Sequence, residues 1–335
     1  MHDRKIGPLT VSAIGLGCMN MSMGYGVADE ATSRQLLCEA LDNGYRFLDT
    51  ATMYGGGHNE TLIGETLKHR RSEYVLASKC CLSKDAAGKP NIDGRPATLK
   101  RQCEDSLRRL QTDVIDIYYM HRLDVNVPIE ESVGALAELK AEGKIRAIGL
   151  SEMASDTLRR AHAEHPIAAM QSEYSLWSRT PERGMLKTCE ELGVTFVPFS
   201  PLARGFLPGS AQDVSKLGKD DIRATIARPR FEPENFQKNQ QLLTPFNAIA
   251  ERQQCTPAQL ALAWLLAQKD SRGNKTLVPI PGTKHIEWMH DNGGASELQL
   301  SDDVVAELDG LINEQTVAGN RYADDVMAKT DSERD

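Results

Sequence analysis

Four side chains early in this chain close short apolar runs or follow them closely: "YRFLD" ends on Asp49, "VLASK" on Lys79 and "IYYMH" on His121. Tyr54 stands five residues beyond Asp49, inside "GYRFLDTATMYG". A carboxylate at the end of a buried run is costly unless a cation meets it, so Asp49 calls for a partner. Lys79 is that partner if the two strands are neighbours. Tyr54 would then hang above the ammonium, which favours phenolate and pulls a tyrosine below its ordinary pKa of about 10. Such a phenol is a usable general acid near neutral pH. His121 would offer a second donor to the same substrate oxygen. Two donors aimed at one oxygen stabilise the alkoxide that grows when a carbonyl receives a hydride.

These residues need a scaffold that brings strand ends together. Short aliphatic runs alternate with amphipathic stretches along the whole chain. Strand-like runs fall at 12–17, 45–49, 74–79, 114–121, 145–151, 167–171, 194–200 and 276–282. Helical patterns follow at 29–43, 59–69, 95–110, 129–142, 155–164, 181–192 and 285–292. Parallel neighbours need long crossovers, so this alternation predicts a parallel sheet. Eight such units predict closure into a (β/α)₈ TIM barrel. An open doubly wound sheet would want GxGxxG between a strand and its helix, and neither "GLGCMNMSMGYG" nor "YGGGHN" has that spacing. The long segment 201–275 between the last two strands reads as an irregular loop over the barrel mouth. It returns to two helices across 236–269, the second starting at Thr256–Pro257.

In a barrel all strands point the same way, so their last residues converge on one rim. Asp49, Lys79, His121, Ser151, Gln171, Ser200 and Thr283 all end strand candidates. Each alone has an ordinary reading as a cap, a solvated strand end or a satisfied core histidine. Together they mark the C-terminal face, where barrel enzymes build their sites. The loop "CMNMSMGYG" (18–26) faces the same mouth, and its methionines read either as an adaptable apolar wall or as packing under the loop. Trp177 and Arg179, after the sixth strand, are further candidates for reaching a substrate.

Composition agrees with a soluble globular protein that can bury a sizeable core. Of the 335 residues 40% are hydrophobic and 26% charged, and the net charge of −8 disfavours nucleic acid or an anionic membrane as partner. There is no signal-peptide pattern and no apolar run of membrane-spanning length, which predicts a cytoplasmic protein acting on a small molecule. Seven scattered cysteines without CxxC spacing suit neither a disulfide framework nor a zinc site. The chain reads as one domain, 1–318, with an acidic and flexible tail, 319–335.

Asp49, Tyr54, Lys79 and His121, in this order and in these contexts, resemble the aldo-keto reductase superfamily. "GYRFLDTATMYG", "GKIRAIGLSE" and "FSPLARGFL" carry the similarity, which runs from about residue 4 to 315 and is greatest to the longer bacterial and plant-type members. The resemblance implies NADPH-dependent reduction of aldehydes or ketones, with Tyr54 as proton donor, Asp49 and Lys79 tuning it, and His121 orienting the carbonyl. It also implies NADPH (or NADP+) lying extended across the mouth. Ser151, Glu152 and Gln171 would hold the carboxamide end, and Phe199 would stack on the nicotinamide. Ser200, Leu202, Arg204 and Gly205 would follow the pyrophosphate. Gly282, Thr283 and Lys284 would meet the adenosine 2′-phosphate, with Asp291 and Asn292 near adenine. The chain departs from the family pattern at Glu152, where asparagine is common, at Ala203, where glycine is common, and at His285 and Trp288, where many members carry arginine. A nucleotide-sensing regulatory subunit of the same fold, with little turnover, is the alternative.

Overall fold

The structure is a computed structural model and describes residues 1–85, 88–211 and 213–335. It starts with an antiparallel hairpin, β1 (Asp3–Ile6) and β2 (Leu9–Ser12), turned at Gly7. The alternating units follow: β3 (Leu16–Gly17), α1 (Glu30–Asp42), β4 (Phe47–Asp49), α2 (His58–Leu67) and β5 (Val75–Cys80). A second hairpin, β6 (Leu82–Lys84) with β7 (Pro90–Ile92), intervenes before α3 (Pro96–Leu110). Then come β8 (Ile115–Met120), α4 (Ile129–Ala141), β9 (Ile145–Ser151), α5 (Ser155–Glu164), β10 (Ala169–Glu173), α6 (Met185–Leu192) and β11 (Thr195–Phe199). Helices α7 (Pro233–Gln240), α8 (Leu243–Arg252), α9 (Pro257–Ala267), α10 (Ile286–Gly294), α11 (Asp302–Leu311) and α12 (Asp324–Met327) complete the chain.

Seven parallel strands pair in the order β11-β10-β9-β8-β5-β4-β3. The segment 277–282 closes the ring as the eighth. Val278 and Ile280 donate backbone N–H groups to Phe196 and Pro198 of β11, while Pro279 and Pro281 accept from Gly15 and Gly17 on the other side. Two prolines survive here because they fall on alternate positions: the missing N–H groups all face the first strand, and the carbonyls still pair. The fold is a (β/α)₈ barrel.

Strand alternation sorts the core into two shells. Phe47, Ala77, Ile117, Tyr119, Ala147, Ala169, Val197, Val278 and Ile280 fill the barrel, and Ile6 and Val11 of the hairpin plug its N-terminal end. The intervening residues, among them Leu76, Tyr118, Ile148, Met170 and Phe196, pack outward against the helices. Gly64 of α2 lies so close to the end of α3 that an added Cβ would come 2.4 Å from the Arg109 carbonyl oxygen. The start of α9 matches its sequence signal: Thr256 and Gln259 form a capping box, with Pro257 in the first turn.

The tail, read from the sequence as acidic and flexible, packs on the barrel: Arg321 and Tyr322 are buried, and the side chains of Asp331 and Asp335 accept from the backbone N–H groups of Ala154 and Ser155 at the start of α5. Its acidic residues answer unpaired helix-start donors, which composition alone does not reveal. The segment after β11 carries short 3₁₀ turns and irregular backbone, as expected, with Gln212 outside the described residues. No helix among the described residues is long and apolar enough to cross a membrane.

Candidate active site

The strand ends converge as the barrel geometry requires. Asp49 is the last residue of β4, and Lys79 lies one strand over in β5, where the register pairs Asp49 with Ala77. Both are buried, and the Lys79 ammonium donates to Asp49 Oδ1. It also donates to the Thr50 carbonyl at 2.9 Å and to the Tyr54 hydroxyl at 3.2 Å. Three acceptors thus use its three protons. The second Asp49 oxygen, Oδ2, accepts from the Gln171 amide at 2.8 Å. The carboxylate is therefore satisfied at both ends, and Lys79 lies beneath the cavity rather than on its wall.

Tyr54 starts a 3₁₀ turn whose next residues, Gly55 and Gly56, take φ of 60° and 64°. That left-handed pair, cheap only for glycine, swings the phenol back over Lys79. His121 follows β8, and its ring meets Tyr54 edge-on, with centroids 6.0 Å apart at 85°. Tyr54 Oη and the imidazole face one cavity of about 690 Å³.

Electrostatics sets the protonation states, and one expectation is corrected. Burial raises the Tyr54 pKa and outweighs the opposing pull of Lys79, so the phenol stays protonated at neutral pH. Burial lowers the Lys79 ammonium, but Asp49 and Tyr54 more than offset it, and the net direction is upward. His121 is driven well below its usual range, first by burial and then by Arg122 and Lys79. A neutral imidazole results, and its buried Nδ1 has no hydrogen-bond partner among the described residues. The constellation is a protonated phenol, a fixed ammonium and a neutral imidazole.

From this end the cavity runs as a groove across the mouth. Ser151 and Gln171 line it near Tyr54 and His121, with Phe199, Ser200 and Leu202 beyond them. Ser200, Ala203 and Arg204 have φ of 49°, 52° and 56°, a run of left-handed residues that folds this loop along the groove. Ala203 thus holds a conformation that glycine would take without strain. Arg204 and Gly205 follow on the wall, and the Arg204 guanidinium is held by Glu173 at 2.6 Å and stacks over the Tyr322 ring. At the far end lie Gly282, Thr283, Lys284, Asp291 and Asn292. Lys284 donates to the Tyr25 and Val27 carbonyls, both at 2.9 Å, tying the first loop across the groove. Asp291 accepts from the Thr256 hydroxyl, and partial burial raises its pKa.

Glu152 is placed elsewhere. At φ 54° its side chain turns away from the groove to accept from Arg321 at 2.6 Å, Ser332 at 2.8 Å and the Glu173 N–H at 2.9 Å. Trp177 and Arg179 do not reach the cavity either. Trp177 stacks on Phe206 with centroids 4.4 Å apart, and Arg179 pairs with Glu182 and Asp309. Of the first-loop methionines, Met19 and Met23 line the cavity while Met21 is buried under the loop. Sequence reasoning missed Arg122, Arg223 and Tyr322 on the wall. Arg122 could have been found as the neighbour of His121; nothing local to the tail points to Tyr322.

A closed barrel with a phenol–ammonium–carboxylate–imidazole cluster at its C-terminal rim defines an oxidoreductase of the carbonyl-reducing barrel class. Residues 13–313 match the aldo/keto reductase family, and the chain belongs to it. It is 42% identical over 325 residues to the aldo-keto reductase yakc [NADP(+)] of Schizosaccharomyces pombe, covering 95% of this chain and 94% of the relative. Among solved structures it resembles the glycerol dehydrogenase of Gluconobacter oxydans, with a TM-score of 0.83 and 28% identity over 92% of this chain and 94% of the other. An aldo/keto reductase of Klebsiella pneumoniae in complex with NADP and acetate superposes with a TM-score of 0.71 and 28% identity, over 96% and 98% of the two chains.

Proposed function

We propose that this protein reduces aldehydes and ketones with NADPH, Tyr54 giving the proton. The observation that carries the reading is the Tyr54 hydroxyl, protonated, 3.2 Å from the Lys79 ammonium and beside the His121 ring at the cavity floor. The substrate oxygen sits between Tyr54 and the neutral imidazole, each donating one hydrogen bond. As charge builds on that oxygen, the Tyr54 proton moves to it, and the Lys79 ammonium stabilises the phenolate left behind. When bound, the reduced nicotinamide supplies the hydride.

The donor set along the groove fits a dinucleotide. Ser151 and Gln171 offer amide and hydroxyl groups to the carboxamide, and Phe199 offers a ring to stack. The wall from Ser200 to Gly205 would hold the pyrophosphate, and Lys284, with Gly282 and Thr283, would offer a cation to the phosphorylated ribose. Asp291 and Asn292 would meet the adenine. The NADP in the name of the fission-yeast relative and in the Klebsiella complex supports the same cofactor here. Glu152 acts through the tail and not on the carboxamide.

The test is Tyr54→Phe. Turnover of 4-nitrobenzaldehyde is expected to fall by roughly 10²–10⁴ while NADPH binding, followed by fluorescence titration, stays near normal. Turnover retained in that variant would assign the proton to another group. Tight NADPH binding by the unmodified protein without oxidation of NADPH by any carbonyl would favour a sensor.

A further inference from the structure

We propose that Arg122 forms an anion subsite that selects carbonyl substrates carrying a carboxylate. This rests on Tyr54 and His121 receiving the carbonyl oxygen, and it names the class of compound that oxygen belongs to.

The cations of the cavity wall are otherwise committed. Arg204 is held by Glu173, Arg223 by Asp221 at 2.7 Å, and Lys284 by two backbone carbonyls. Arg122 differs. Its Nη1 donates to the carbonyl oxygen of His121 at 2.6 Å and more weakly, at 3.5 Å, to Ser151 Oγ. Among the described residues no carboxylate stands within 4.0 Å of its guanidinium, and Nε and Nη2 have no hydrogen-bond partner. The neighbouring acids make their hydrogen bonds with others, although Arg122 also helps hold the Glu152 carboxyl down. Asp49 serves Lys79 and Gln171, Glu152 serves Arg321 and Ser332, and Asp124 accepts from the Gly94 and Asn126 N–H groups.

One nitrogen tied to the His121 backbone fixes the guanidinium beside the imidazole and leaves the rest of the fork for a ligand. Its positive charge reaches both reacting groups, opposing Tyr54's upward shift and adding to the depression of His121. Met23, Met53 and Leu82 line the same cavity. Against such apolar walls a bidentate guanidinium–carboxylate contact is worth more than in water. The fitting substrates are oxo acids and formyl acids, whose carboxylate passes through the reaction unchanged.

The test uses the full-length protein with NADPH and a matched pair, 4-formylbenzoate and its methyl ester. The unmodified protein is expected to favour the acid by about 10-fold or more in kcat/KM. In Arg122→Gln the acid-to-ester ratio should fall toward one, chiefly through a higher KM for the acid. Arg122→Lys should restore part of it, since a lysine keeps the charge and loses the fork. No preference for the acid in the unmodified protein, or an equal loss for both compounds in Arg122→Gln, would overturn the proposal. Turnover of the ester alone would do so while leaving the reductase reading standing; turnover of neither overturns both.

Discussion

The Gln171 side-chain amide of β10 donates to Asp49 Oδ2 of β4 at 2.8 Å, joining strands on opposite sides of the barrel inside its mouth. Gln171 therefore orients the carboxylate that holds Lys79, besides lining the groove. Replacing it by leucine leaves a buried carboxylate oxygen without a donor. Stability should fall by about 1–3 kcal/mol in urea unfolding, with a several-fold loss of kcat. A Gln171→Leu protein as stable as the original would mean that Oδ2 finds water instead.

Lys79 and Asp49 form a buried pair, so removing one partner strands the other. Lys79→Met should cost about 3–5 kcal/mol of stability. Adding Asp49→Asn to that variant should recover much of the loss, because the uncompensated charge is gone, while activity stays absent. Equal destabilisation in the single and double variants would point to packing rather than charge.

The pH profile of reduction follows from the direction of two shifts. The proposed reduction needs the Tyr54 phenol protonated, and burial holds its pKa above the ordinary value of about 10. The His121 imidazole is already neutral well below its usual titration range. From pH 7 to about 9, kcat/KM for a neutral aldehyde should therefore be level. A fall with midpoint between pH 7 and 8 would contradict a phenol held upward by burial.

Acid stability should report the tail. Burial pushes the Glu152 carboxyl up, but Arg321 wins, and its pKa settles at about 2. In the unfolded chain it titrates near 4.3. Between those values the unfolded form binds more protons, so stability falls as pH drops through this window and is fully present above it. In Arg321→Met the carboxyl loses its main partner, and the slope between pH 4.5 and 2 should flatten or reverse, on top of a lower stability at pH 7. An unchanged slope measured by urea unfolding would remove Arg321 from that role.

What could be read without coordinates was what repeats or what ends a strand. Asp49, Lys79 and His121 were legible because a polar group closing an apolar run has few other reasons to be there, and the barrel places such groups together. The eighth strand was legible despite Pro279 and Pro281 because its apolar residues still alternate with them. Glu152 misled because it adjoins Ser151 in the sequence, while its left-handed backbone aims it the other way. Trp177 looked like a pocket aromatic and fills a cluster with Phe206 and Phe231. Hairpin β1–β2 was missed because four-residue strands carry little pattern. The tyrosine shift was misjudged in sign because the cation was visible in the sequence and the depth of burial was not.

The contacts of the tail also fix an order in time. Arg321, Tyr322, Ser332 and Asp335 answer groups that are synthesised as many as 180 residues before them. Until then the carboxylates of Glu152 and Glu173 lack Arg321. A nascent chain that has not yet extended through residues 321–335 holds a barrel whose Glu152–Glu173 wall still lacks its cation.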